Sequence, residues 1–73
     1  MLILDVVGTA PINGDTTVIV KGDDSTMRNG TGILDDDGNQ YKIISVGLTS
    51  GLGKEKTTPL LVEGEFASSR IFV

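Results

Sequence analysis

The chain has 73 residues, 38% of them hydrophobic and 22% charged, which is apolar enough for one small folded core and too apolar for wholesale disorder. It contains no cysteine and no histidine, which excludes disulfide staples, thiolate metal sites and every catalytic triad built on imidazole. Ten acids against six bases leave a net charge of −4, the wrong balance for a surface that must neutralise phosphates.

Glycine-centred turns divide the chain into short runs rich in Val, Ile, Leu and Thr. Residues 2–7 (LILDVV) predict a first strand, and Asn13-Gly14-Asp15 a turn into a second over residues 16–21 (TTVIVK). Turn signals at Gly22-Asp23-Asp24 and Asn29-Gly30 precede a short third strand over 32–35. Asp37-Gly38-Asn39 then leads into a longer fourth over 40–48. Asp37-Gly38 is the sharpest hairpin signal, because a type I′ turn needs positive φ at both central residues. A glycine-rich stretch from Gly47 to Gly53 separates the fourth strand from a fifth over 59–63. A sixth over 70–73 follows Gly64, with a helical turn allowed across 65–69. No segment holds the i, i+3, i+4, i+7 spacing of a full helix. The expected architecture is a single all-β domain over 1–73, a small six-stranded antiparallel β-barrel.

Alternation assigns the faces. Leu4, Val6, Val18, Val20, Ile33, Tyr41, Ile43, Val46, Leu60 and Val62 are expected inside, while Ile3, Val7, Ile19 and Leu61 fall on outer faces. Tyr41 and Ile43 are out of phase with Ile44 and Val46, so a bulge near Ile43-Ile44 is needed to bring both sets inward.

The order of these elements resembles the second, barrel domain of elongation factor Tu and of related translation GTPases. The resemblance spans nearly the whole chain. It is carried by Leu4-Asp5-Val6-Val7, by the Thr/Val strand that ends at Gly22, by Met27-Arg28-Asn29-Gly30, by the strand pair 32–34 and 41–48, and by Leu60-Leu61-Val62-Glu63-Gly64. The sequence departs from that pattern in carrying no GTPase domain and in having Ala67-Ser68-Ser69-Arg70 where the family places a glycine after a charged turn. The resemblance implies a docking barrel, since in the family this domain helps hold the aminoacylated tRNA end and touches the ribosome. No residue here matches either contact, and fold likeness alone is an analogy for function.

The motifs that could carry chemistry fail on residue type. Thr49-Ser50-Gly51-Leu52-Gly53-Lys54-Glu55 imitates a phosphate-binding loop but has Leu48 where glycine is required and Glu55 where a hydroxyl should bind magnesium. Asp35-Asp36-Asp37-Gly38-Asn39, read as a calcium loop, would put Ile33 and Ile44 at ligand positions, so a solvated hairpin turn is expected there. Asp23-Asp24-Ser25-Thr26 is likewise a turn. Glu63 and Glu65 flank Gly64 as exposed strand-face acids, and Ser50 with Lys54 lacks a rigid support for nucleophilic chemistry.

No catalytic, cofactor-binding or metal-ligating residue is therefore expected, and no cofactor. The bases Lys21, Arg28, Lys42, Lys54, Lys56 and Arg70 are scattered and the three aromatics far apart, so autonomous nucleic-acid binding is not expected. The first 20 residues lack the pattern of a signal peptide, and no run approaches the roughly 18 apolar residues of a membrane helix, which makes a cytoplasmic location the expectation. Two functions fit: a non-enzymatic module that docks on a protein or ribonucleoprotein partner, or an assembly subunit, such as a phage or virion component, that self-associates through its barrel strands. Exposed apolar residues merging into a patch would favour the second.

Overall fold

The computed structural model describes residues 3–22, 27–51 and 56–73. Six strands form: β1 (Ile3–Ile12), β2 (Asp15–Lys21), β3 (Gly32–Leu34), β4 (Gln40–Val46), β5 (Thr57–Val62) and β6 (Arg70–Phe72). They close into an antiparallel barrel in the order β1-β2-β5-β4-β3-β6. The all-β, six-stranded, single-barrel architecture is the one the turn spacing predicts. No helical turn forms at 65–69; that segment is irregular and plugs the barrel instead. The expected strand residue Leu2, the Asp23–Thr26 turn and residues 52–55 of the glycine-rich stretch lie outside the described residues.

The barrel consists of two sheets that share β1 and β4. One sheet joins the start of β1 to β6, β3 and the start of β4; the other joins the rest of β1 to β2, β5 and the rest of β4. Each shared strand bends where it changes sheets, and each bend is a bulge. The β1–β2 register shifts between Val6 and Gly8, and the β4–β5 register between Ile43 and Ser45. A bulge inserts one residue and reverses the side-chain phase. In β4 this lets Ile43 and Val46, three residues apart, both pack inward, while the bulged Ile44 stays exposed. The expected bulge is thus present, but it brings in only one member of the Ile44/Val46 pair. Val7, the corresponding residue in β1, is exposed in the same way.

Turn chemistry differs from expectation at one hairpin. The two consecutive positive φ values of a type I′ turn occur at Asn13 and Gly14, between the paired Ile12 and Asp15. At the β3–β4 connection only Gly38 has positive φ; Gly38 N donates to Asp35 O at 3.1 Å and Asp35 N to Asn39 O at 3.1 Å. That pattern is a three-residue loop with a left-handed glycine, which needs only one residue at positive φ.

Val18, Val20, Ile33, Ile43, Leu60 and Val62 are buried, with Leu4, Val6, Tyr41 and Val46 packed around them, as the alternation predicts. Met27, Phe66 and Ile71 are also buried. Met27 and Phe66 come from outside the strands, where a two-residue period carries no information, and Ile71 from a strand of three residues. The segment after Met27 covers β4: Gly30 N donates to Ile43 O, Ile43 N to Thr31 O, and Val46 N to Asn29 Oδ1.

Two threonines tie irregular segments to the barrel. Thr16 Oγ1 donates to Gly64 O at 2.7 Å and accepts from Phe66 N at 3.0 Å. Thr58 Oγ1 donates to Gly22 O at 2.7 Å and lies 2.8 Å from Thr49 Oγ1. Both threonines are buried, and their hydroxyls supply partners to irregular backbone, among it the buried Phe66 N–H.

Candidate interaction surface

The acid-rich β3–β4 turn is the most polar feature. Asp35 is buried, not solvated as expected, and its carboxylate faces its own hairpin. Oδ1 accepts from the backbone N–H groups of Asp37 and Asn39, and Oδ2 from Asn39 Nδ2 and Tyr41 Oη, all at 2.9–3.1 Å. Burial pushes the carboxyl pKa up, but the hydrogen bonds from Asn39, Tyr41 and Asp37 outweigh it and hold it below the ordinary carboxylate value. The same Asp35 bond, with burial and the charges of Asp35 and Asp37 behind it, raises the Tyr41 phenol. Asp36 pairs with Arg70 at 3.2 Å and accepts from Ser68 Oγ at 2.8 Å.

Asp35, Asp36, Asp37, Asn39, Tyr41 and Ser68 border an acidic depression of about 600 Å³ that also takes in Glu65, Ala67 and Ser69. Among the described residues no buried side-chain polar atom lacks a partner, and no group of three or more metal-ligating side chains assembles. Asp35 thus directs its polar capacity to its own hairpin, and Asp36 to Ser68 and Arg70. Glu63 and Glu65 are both exposed, and Gly64, at φ +87°, turns the chain between them, so they do not continue one strand. Ser50 forms a two-bond bridge with Thr57 and extends the β4–β5 hairpin, while Lys54 lies outside the described residues. No helix follows the glycine-rich stretch; the next described element is β5.

A second concavity, about 360 Å³, lies where β3 meets β6. Leu34 pairs with Phe72 at that seam, and Ile33, Tyr41 and Val73 also line it.

The other sheet has the opposite character. Residues directly opposite each other in an antiparallel ladder share a face. The pairs Gly8↔Ile19, Ala10↔Thr17, Ile12↔Asp15, Ile19↔Pro59, Thr17↔Leu61 and Ser45↔Leu61 therefore define one outer face across β1, β2, β5 and β4. Between Asp15 at one end and Lys21 at the other, every outward residue of these pairs is uncharged. Ile12 is 49% exposed, Ile19 36%, and the bulged Ile44 on β4 39%. Leu61 and Thr17 are half-buried and line a shallow dip of about 270 Å³ with Ile12, Ser45, Gly47 and Pro59.

Pro59 is tolerated in this central strand because of where it sits. Its carbonyl accepts from Gly47 N at 2.8 Å, and the return bond that proline cannot donate falls just beyond Val46, where β4 has ended. Gly47 is required for that approach, since a Cβ there would stand 2.6 Å from Pro59 Cγ. Alternation identifies Ile19 and Leu61 as outward, but the continuity of the patch depends on strand order, which sets β2 beside β5 although the two are far apart along the chain.

No family model, no curated protein and no solved structure matches this chain.

Proposed function

We propose that this protein is a non-enzymatic β-barrel binding module that docks on a protein surface through the outer face of the β1-β2-β5-β4 sheet. The observation that carries the reading is the uncharged, largely apolar row from Ile12 through Thr17 and Ile19 to Pro59 and Leu61, in which Ile12 and Ile19 are exposed and the others half-buried, on a chain whose net charge is −4. Contiguous apolar surface of this kind costs solubility and is retained where it is covered by a partner. The acid-rich turn supports the same reading by contrast, because the Asp35 carboxylate is engaged by its own hairpin and the Asp36 carboxylate by Ser68 and Arg70.

Site-specific photo-crosslinking in the cells that make the protein tests this. p-Benzoyl-phenylalanine in place of Ile19 is expected to give a discrete adduct identified by mass spectrometry, and the same probe in place of the exposed Glu65 is expected to give none. Adducts from Glu65 alone, or none from either position, would remove the sheet face as the docking surface.

A further inference from the structure

Resting on the reading of this sheet face as a docking surface, we infer that its occupant is a second copy of the same chain, packed face to face with the strands of the two copies antiparallel. The argument comes from how charge is distributed along the face. On β2 the outward residues run Asp15, Thr17, Ile19, Lys21, and on the antiparallel β5 they run Thr57, Pro59, Leu61, with Glu63 next in phase. Because Thr17 pairs with Leu61 and Lys21 with Thr57, the acids Asp15 and Glu63, with Lys42 of β4 beside Glu63, stand at one end of the face and leave it one net negative charge. Among the described outward residues of β2 and β5, Lys21 stands at the other end. The row between them is neutral.

A two-fold axis lying in the face and perpendicular to the strands carries each end onto the opposite end. Lys21 of one copy then lies over the Asp15–Glu63 end of the other, and this happens twice by symmetry. The parallel alternative stacks acid on acid and base on base. The face is thus self-complementary in one orientation and self-repelling in the other. Its neutral centre, Ile19 beside Pro59 and Thr17 beside Leu61, is apolar enough to be the contact of two aligned sheets, which pack about 10 Å apart. Four strands over some five residues give roughly 300–400 Å² per copy from strand spacing and rise, which is below a standard interface. The expected dimer is accordingly weak and concentration-dependent.

Multi-angle light scattering after size exclusion, from about 10 to 500 μM, spans the range of such an affinity. The natural chain is expected to shift from monomer towards dimer across that range. Ile19→Lys places a charge at the centre of the face on an exposed side chain, and is expected to weaken the dimer by about tenfold or more with an unchanged circular dichroism spectrum. Lys21→Glu is expected to weaken it about three- to tenfold, Glu63→Lys similarly, and the double exchange to recover part of the Lys21→Glu loss, because Asp15 at the opposing end keeps its sign. A monomer at 500 μM, or a dimer indifferent to Ile19→Lys, would overturn the inference. A dimer weakened by Ile19→Lys but showing no recovery in the double exchange would overturn the antiparallel arrangement. The crosslinking experiment separates the two levels: an adduct to a different protein at Ile19, with the chain itself monomeric, retains the docking face and rejects self-association. No adduct and no dimer reject both.

Discussion

The acid-rich turn between β3 and β4 and the outer face of the β1-β2-β5-β4 sheet differ in how they treat their own valences. In the turn, Asp35 accepts four hydrogen bonds from within its hairpin, and Asp36 is held by Ser68 and Arg70. On the sheet face, Ile12 and Ile19 present exposed hydrocarbon, with the half-buried Leu61 in the same row. A cluster of acids draws attention as chemistry, yet satisfied carboxylates have little left to offer a ligand. An apolar face looks inert, yet it is the region with free energy still to gain from contact. The two regions therefore predict different readouts. Changes at the turn and its supports alter stability; changes on the face alter association.

The largest expected effect is at Phe66, which supports the turn from inside the barrel. Its ring meets Tyr41 edge-on at 5.0 Å, and Tyr41 in turn donates to Asp35. Phe66→Ala removes a buried aromatic and is expected to cost about 3–5 kcal/mol in urea unfolding. A loss below about 1 kcal/mol would mean that the plug at 65–69 is dispensable. Thr16→Val comes next, at about 1–3 kcal/mol, because it leaves the buried Phe66 N and the half-buried Gly64 O without their partner at nearly unchanged volume. Gly47→Ala is expected to cost about 1–3 kcal/mol by overpacking against Pro59, and is the one change expected to perturb both stability and the face. Its effect on association is read against Thr16→Val, which should leave association alone.

The pH dependence sharpens the account of the turn. The folded-state pKa of Asp35 lies below its ordinary value, so its contribution is present above that ordinary value and is lost as pH falls through the folded pKa. The stability difference between the natural chain and Asp35→Asn is expected to be constant at neutral pH and to narrow in acid. A difference that persists unchanged at low pH would show that the carboxylate's charge does not matter to the hairpin. The smallest effect on stability belongs to the face itself: Ile19→Ser is expected to stay within about 0.5 kcal/mol of the natural chain, as surface substitutions usually do. A larger loss would place Ile19 in the packing of the barrel and remove it from the docking surface.

Alternation and turn residues are local properties, and they suffice for the strands and most of the interior. Val18, Val20, Leu60 and Val62 fall inside on a two-residue period alone, and the phase conflict around Ile43-Ile44 by itself requires the bulge found between Ile43 and Ser45. The β1 bulge is not legible, because Gly8, Thr9 and Ala10 offer no apolar pattern whose phase could be seen to break. For the same reason the sequence pattern ends β1 at Val7, whereas the strand continues to Ile12 because β2 is there to pair with it.

What the amino-acid order determined by itself is the all-β class, the six strands, the places of the turns at Asn13-Gly14 and Gly38, and the absence of histidine and cysteine chemistry. Each depends on residue types alone or on residues a few positions apart. Tertiary structure decided the rest: that β2 lies beside β5 and β3 beside β6, that Met27 and Phe66 fill the barrel from outside its strands, and that Asp35 is buried against Tyr41 while Ile19 and Leu61 join into one face. These depend on which distant segments become neighbours, a choice made by closing the barrel so that its hydrocarbon is buried and its backbone paired at the same time.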